Sequence, residues 1–264
     1  MKRLTLLQST RRAFCRLRVA ACAFVTLAAC PMAHADIVVP SSATVNASAS
    51  TVDMGCTDLV VGGAFNLGRG SLVNVRDVVI QTGGSISAAT ASIAVARNWS
   101  NLGNFEAGTG SVSFADNPGC ATASAISGNT VFNNLKLTSL SGRTITLAAG
   151  ATQTVTGTLT VTGTAALPVQ VLSSGTTLSA INLVSPSQVI GNVAVNNVAA
   201  TGQWLAAGQI NRNPNGFAPN WFGDGLIVPT LSVAGLLLLS TFMTLLAFFS
   251  GAITRQFHLG RGTK

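Results

Sequence analysis

Between Cys56 and Trp204 the apolar residues come in short alternating groups, and glycine or asparagine ends each group. Phe65 and Leu67 alternate ahead of Gly68 and Gly70, and Leu72-Val73-Asn74-Val75 leads into Val78-Val79-Ile80 and then Gly83-Gly84. The pattern returns at Ile93 and Val95, at Val112 and Phe114, at Leu135 and Leu137 before Gly142, and at Ile145 and Leu147 before Gly150. Strict alternation puts one set of side chains on a buried face of a strand and the other on its outer face. No stretch sustains the period of an amphipathic helix. The clearest segment runs from Thr152 to Thr164. There Thr154, Thr156, Thr158, Thr160 and Thr162 share one face, and Val155, Leu159 and Val161 share the other. Branching at Cβ suits threonine to extended backbone, and Gly157 marks a bend.

Asparagine recurs among apolar residues in Leu72-Val73-Asn74-Val75, Phe132-Asn133-Asn134-Leu135 and Val195-Asn196-Asn197-Val198. Asparagine tolerates left-handed turns and bonds its own backbone, and stacked copies satisfy one another across coils. Short strands, frequent glycine turns and few charges predict an all-β chain folded as a right-handed parallel β-helix, or solenoid. The alternative is a β-sandwich, which calls for longer strands and more even turn spacing. The expected organisation has an N-terminal lead or cap over 36–55, in which 37–55 form a first strand or a loose lead, then the solenoid over 56–204 and a turn-rich linker over 205–227.

The two ends read as address labels. Residues 1–18 are basic, Val19 to Ala29 is apolar, and Pro31-Met32-Ala33-His34-Ala35 supplies small residues ahead of Asp36. This order predicts a secretory signal peptide over 1–35, cut after Ala35. Arg11-Arg12 resembles the twin-arginine export motif, and Leu27-Ala28-Ala29-Cys30 resembles a lipoprotein box; the reading favours the general route and the Ala35 site. At the other end, Val233 to Ile253 is uncharged. About 20 residues at ~1.5 Å rise cross the hydrocarbon core, so 233–253 is predicted to be a transmembrane helix. Arg255, Arg261 and Lys264 follow it, which keeps the tail cytoplasmic and puts 36–227 outside.

Val228-Pro229-Thr230-Leu231-Ser232, then Gly235, an apolar span and a basic end, resembles the Ile-Pro-Thr-Leu class of C-terminal sorting signals. That class is related to the Pro-Glu-Pro signals handled by exosortases in Gram-negative bacteria. Val228 stands where the pattern prefers isoleucine, and Val233-Ala234 stands where it prefers Glu-Trp. The resemblance implies an exported cell-envelope or cell-surface protein, anchored in the membrane at least transiently. Its partners are then the export machinery, the membrane and an exosortase-like processing enzyme that cuts near Pro229-Thr230-Leu231. A second resemblance covers about 60–200. Asn98-Trp99-Ser100-Asn101, Gly108-Thr109-Gly110-Ser111-Val112-Ser113-Phe114 and Ile126-Ser127-Gly128-Asn129 onward look like repeats of secreted bacterial β-solenoids, which implies an architecture and no activity.

Charge and chemistry narrow the function. Only 8% of the 264 residues are charged, and the net +8 belongs to the ends. Residues 1–35 carry six positive side chains and 228–264 carry three, whereas 36–227 has six against all seven acids. A nucleic-acid partner therefore loses its support. The histidines, His34 and His258, both lie in the end segments, which excludes histidine-dependent triads and most catalytic zinc sites from the middle. Cys56 and Cys120 are the mature cysteines, apart from Cys30 if that is lipidated. Export invites a disulfide between them, contributing about 4 kcal/mol through chain entropy, and two buried free thiols are the alternative. Trp99 and Trp204 are candidate glycan contacts; Trp221, like them, also suits core or end-cap packing. Asp58 and Asp77 are spaced by roughly one coil, so they are the pair to watch for a carbohydrate-active site. Arg76 points away from Asp77 if both lie in a regular strand. A Gly-Asp pair occurs only at Gly223-Asp224, so no calcium array, other metal or cofactor is expected. The leading expectation is a non-enzymatic structural or adhesive surface protein. The alternative is a β-helix polysaccharide lyase or hydrolase, or a glycan-binding module.

Overall fold

The computed structural model describes residues 35–223 and 240–243. The chain winds through three rows of short strands, one strand of each row per coil. The first coil is β1 (Ile37–Val39), β2 (Thr44–Asn46) and β3 (Thr51–Asp53). Next come β4 (Leu59–Val61), β5 (Ala64–Asn66), the long β6 (Ser71–Ile80), β7 (Ser85–Ser87), the long β8 (Ser92–Asn101) and β9 (Asn104–Glu106). The middle holds β10 (Ser111–Phe114), β11 (Ala123–Ser127), β12 (Thr130–Phe132), β13 (Asn134–Thr138), β14 (Thr144–Leu147) and β15 (Thr152–Val155). The last coils are β16 (Leu159–Thr162), β17 (Val169–Ser173), β18 (Ser179–Leu183), β19 (Gln188–Gly191), β20 (Val193–Asn196) and β21 (Val198–Gly202).

Every pairing between these strands is parallel, and each strand pairs with its counterpart one coil away. The fold is a parallel β-solenoid, and consecutive parallel pairing excludes the sandwich. Register explains why the alternating pattern works. Leu59, Val78, Trp99, Ile126 and Leu147 are cross-strand partners in one inward column, and Leu72, Ile93, Val112, Leu135 and Leu159 form another. All ten are buried. Each inward side chain thus removes apolar surface from water above, below and across the coil, at roughly 25 cal/mol per Å².

Two local devices keep the coils closed. β6 and β8 run through a corner instead of ending at it. The alternation slips in β6, so Leu72, Val75 and Val78 all face inward, and Asn74 takes φ 55° at the bend. Gly128 has φ +76°, and a Cβ there would collide with the Asn101 carbonyl of the coil below. Only glycine meets both demands.

The solenoid is longer at both ends than the alternation indicated. Of the two readings of 37–55, strand holds and loose lead does not, and there are three strands where one was expected: β1, β2 and β3 pair with β4, β5 and β6 as a full first coil. Residues 205–223 are no free linker either. They form a terminal layer in which Leu205 and Trp221 are buried and bridged to each other. The layer covers the last coil's open edges: Arg212 N donates to Val193 O, Asn197 N to Phe217 O and Ala200 N to Pro219 O. Residues 224–227 lie outside the described part.

The signal peptide up to His34, the sorting motif at 228–232 with Gly235, and most of the 233–253 span fall outside the described residues. Ser240–Met243 are helical. Among the described residues no helix is long and apolar enough to cross a membrane.

Candidate functional site

Asp58 and Asp77 do stack, as members of a longer column on the outside of one corner. Asp36, Asp58, Asp77 and Asn98 occupy equivalent positions in successive coils, each one residue ahead of an inward-facing strand residue. Each side chain accepts the backbone N–H one coil on. Asp58 N donates to Asp36 Oδ1 at 2.9 Å, Asp77 N to Asp58 Oδ1 at 3.2 Å, Asn98 N to Asp77 Oδ1 at 3.0 Å and Ala125 N to Asn98 Oδ1 at 3.0 Å. The intervals of 22, 19, 21 and 27 residues show how much loop variation the column absorbs.

Arginines from the following coil grip two of these carboxylates. Arg76 donates from Nε and Nη2 to Asp58 at 2.7 and 2.8 Å. Arg97 does the same to Asp77, with Nε–Oδ1 at 2.8 Å and a second bond from Nη2 to Oδ2. The expectation that Arg76 and Asp77 point to opposite faces fails because β6 turns its corner between them. The hydrogen bond from Arg76, opposed by burial, holds the Asp58 carboxyl below its ordinary range. Asp58 and Asp77 in turn raise Arg76 and Arg97, respectively, above the ordinary guanidinium value. A general acid needs the reverse, a carboxyl pushed up and free to meet a glycosidic oxygen. This column holds coils together, and its acids already have partners.

A second cluster ties down the loop between β10 and β11. Cys56 and Cys120 are disulfide-bonded with Cα atoms 5.4 Å apart. Cys56 sits at φ 68°, in the turn between β3 and β4. Arg143, 2% exposed, fills the space beneath the loop. It donates to the carbonyls of Ala115, Ala121 and Ala123 at 3.0–3.2 Å, to the carbonyl of Ala96, and to Ser124 Oγ. Burial pushes the Arg143 guanidinium down, with Asp116 opposing. Asp116 accepts from Ser139 Oγ, Leu140 N and Ser141 N at 2.7–3.1 Å. Burial raises its carboxyl, but these bonds outweigh it and hold the group below its ordinary value. Nothing in the sequence singles out Arg143: in Ser139-Leu140-Ser141-Gly142-Arg143 it reads as a solvated turn charge.

The tryptophans separate. Trp99 is fully buried against Phe105 and Phe132, at ring distances of 4.8 and 5.4 Å, and Nε1 donates to Thr130 Oγ1 at 3.1 Å. A ring with no exposed face stacks on no sugar, so Trp99 is not a glycan contact. Trp221 is buried in the terminal layer. Trp204 is 56% exposed, and its ring lies over Gly223, where a Cβ would strike it. Beside it, Gln188, Val189, Ile190, Ala206, Ala207 and Gln209 line an open groove of about 360 Å³. Gln188 spends both ends of its amide on Trp204 O and Ala206 N, and Gln209 donates to Ile190 O.

The outer faces carry rows of small and polar residues, interrupted by single exposed apolar side chains such as Leu102, Val131, Leu140 and Val184. Thr44, Ala64, Ser85 and Asn104 run as one row, and Asn46, Asn66, Ser87 and Glu106 as another. Asn66 Nδ2 donates to Asn46 Oδ1 at 2.8 Å, and Thr51 and Ser71 pair at 3.0 Å. Among the described residues no three His, Cys, Asp or Glu side chains are placed to hold a metal. Ala35, the predicted cleavage position, is exposed and stands two residues before β1. Comparison of the chain with protein-family models, with curated proteins and with solved structures returns no match.

Proposed function

We propose that this is a non-enzymatic structural or adhesive protein of a bacterial cell envelope, exported by its N-terminal signal and sorted through its C-terminal one. Its solenoid is right-handed, as parallel crossovers nearly always are. The observation that carries the reading is the employment of the acids. Asp58 and Asp77, the pair placed to act on a glycan, are each bound to an arginine and to a backbone N–H of the next coil. The outward rows are mostly serine, threonine and asparagine on a stiff stack, with single apolar side chains such as Leu102 and Leu140 among them, a surface suited to many weak contacts. Asp36, directly after the predicted cleavage site, is already bonded to the next coil through Asp58 N, which supports a mature protein released there. Fractionation and protease treatment of intact cells test the proposal. Recovery in the envelope, with loss on surface proteolysis, is expected; a soluble cytoplasmic protein overturns it. Glycan turnover that disappears in Asp77→Asn would establish the enzymatic alternative instead.

A further inference from the structure

We infer that the terminal layer of the solenoid, with Trp204, is a membrane-facing surface that rests in the headgroup region of an anionic bilayer. This surface presupposes the membrane span expected over 233–253 and the sorting proposed above, and it belongs to the exported chain before its tail is cut. The layer covers the ends of all three strand rows: Gln209 Nε2 donates to Ile190 O of β19, Arg212 N to Val193 O of β20, and Ala200 N of β21 to Pro219 O. Its backbone is thus spent on the last coil, and its side chains make the end of the stack. A solenoid end that faces water needs a polar outer surface. This end instead exposes Trp204 (56%), Ile210 (79%) and Phe217 (60%), with Val189 (57%) beside the groove. Indole with an apolar body and a polar N–H is the side chain that settles at the boundary of lipid and water.

Charge points the same way. Residues 36–116 hold six acids against Arg69, Arg76 and Arg97, while 117–223 contain no acid at all. Lys136 and Arg212 are the outward positive charges of that second half, and Arg212 lies in the layer itself. Asp224, the residue after Gly223, offsets Arg212, so the stack is negative toward its first coil and close to neutral at its last. Anionic headgroups repel the far end and leave the terminal layer as the end that can approach them. The tether supplies the third argument. Nine residues, 224–232, separate Gly223 from the start of the span. Fully extended they reach about 30 Å, and as a flexible chain about 15–18 Å. Gly223 leaves directly beneath the Trp204 ring. A tether this short holds the layer at the bilayer surface at millimolar effective concentration, so weak contacts suffice. The solenoid then stands on its last coil with its first coil farthest from the membrane.

Trp99 and Trp221 are buried, so Trp204 is the exposed indole of the three. The test reconstitutes the uncleaved full chain in vesicles of phosphatidylethanolamine and phosphatidylglycerol, with and without lipid brominated near the headgroup. Flotation is measured together with tryptophan emission. The expected result is co-flotation with a blue-shifted emission component that brominated lipid quenches. Trp204→Phe should lose that component, and Ile210→Glu with Phe217→Glu should reduce it while flotation persists. Co-flotation with no quenching of Trp204 overturns the membrane-facing layer and leaves the span standing. An emission change that follows protein concentration instead of lipid overturns it in favour of a second copy as the occupant. Failure to float removes the span, and the layer's role falls with it.

Discussion

Replacing Arg143 by methionine tests whether one buried cation holds the 115–123 loop. The side chain donates to four carbonyls, those of Ala96, Ala115, Ala121 and Ala123, and to Ser124 Oγ. The loop carbonyls of Ala115 and Ala121 can rehydrate if the loop lifts. Those of the Ala96 corner and the Ser124 hydroxyl cannot, because Ser124 is 4% exposed and Ala96 is 3% exposed. Two buried polar groups without partners cost about 1–3 kcal/mol each. Methionine recovers part of the packing and spares the desolvation of a charge, so the net loss is about 2–5 kcal/mol. Arg143→Lys keeps the charge but not the fork and is expected to lose roughly half as much. Urea unfolding gives the total, and hydrogen exchange of residues 115–123 gives the local share. A stacked repeat need not unfold in one step, so the exchange data decide. A methionine variant as stable as the parent, with equal protection of the loop, would refute the assignment.

Three further outcomes follow from the same geometry. Reduction of Cys56–Cys120, or Cys56→Ser with Cys120→Ser, frees a 64-residue separation and is expected to lower stability by up to about 4 kcal/mol in denaturant titrations. Asp58 has a lowered carboxyl in the folded chain, so the unfolded chain takes up that proton first as pH falls. Its contribution is complete above about pH 4 and is lost below it, and unfolding midpoints of Asp58→Asn should show a flatter acid limb than the parent. Trp99→Ala opens a cavity between Phe105 and Phe132 and removes one of the two donors to Thr130 Oγ1, leaving Asn101 Nδ2; a loss of about 3–5 kcal/mol is expected by thermal or urea unfolding.

The architecture was legible because a solenoid writes its core locally. Ile93 with Val95 and Val112 with Phe114 alternate within strands, and glycine marks the turns. What lay beyond the alternation depended on partners far along the chain. Thr44-Val45-Asn46 and Thr51-Val52-Asp53 offer one apolar residue each, so the first coil gives almost no periodic signal; pairing with β5 and β6 makes them strands. The Asn- and Pro-rich run after Trp204 looks like a tether because its order comes from turns and from bonds to the edges of β20 and β21, such as Arg212 N to Val193 O, and neither leaves an alternating pattern. The spacing of Asp58 and Asp77 revealed their stacking. Their arginine partners stayed hidden because a corner inside β6 breaks the alternation on which the facing of Arg76 was judged. Arg143 was silent for the reason that any buried arginine is: its carbonyl partners come from the backbone, which no side-chain pattern records.

The intact mass of the mature protein from its native host tests the central claim most directly, since it reads both ends of the exported chain at once. The expected mature chain begins at Asp36, retains the Cys56–Cys120 bridge and ends near Pro229-Thr230-Leu231. A mass that includes Met1 would contradict signal-directed export with cleavage, and a mature exported form that includes Lys264 would contradict sorting.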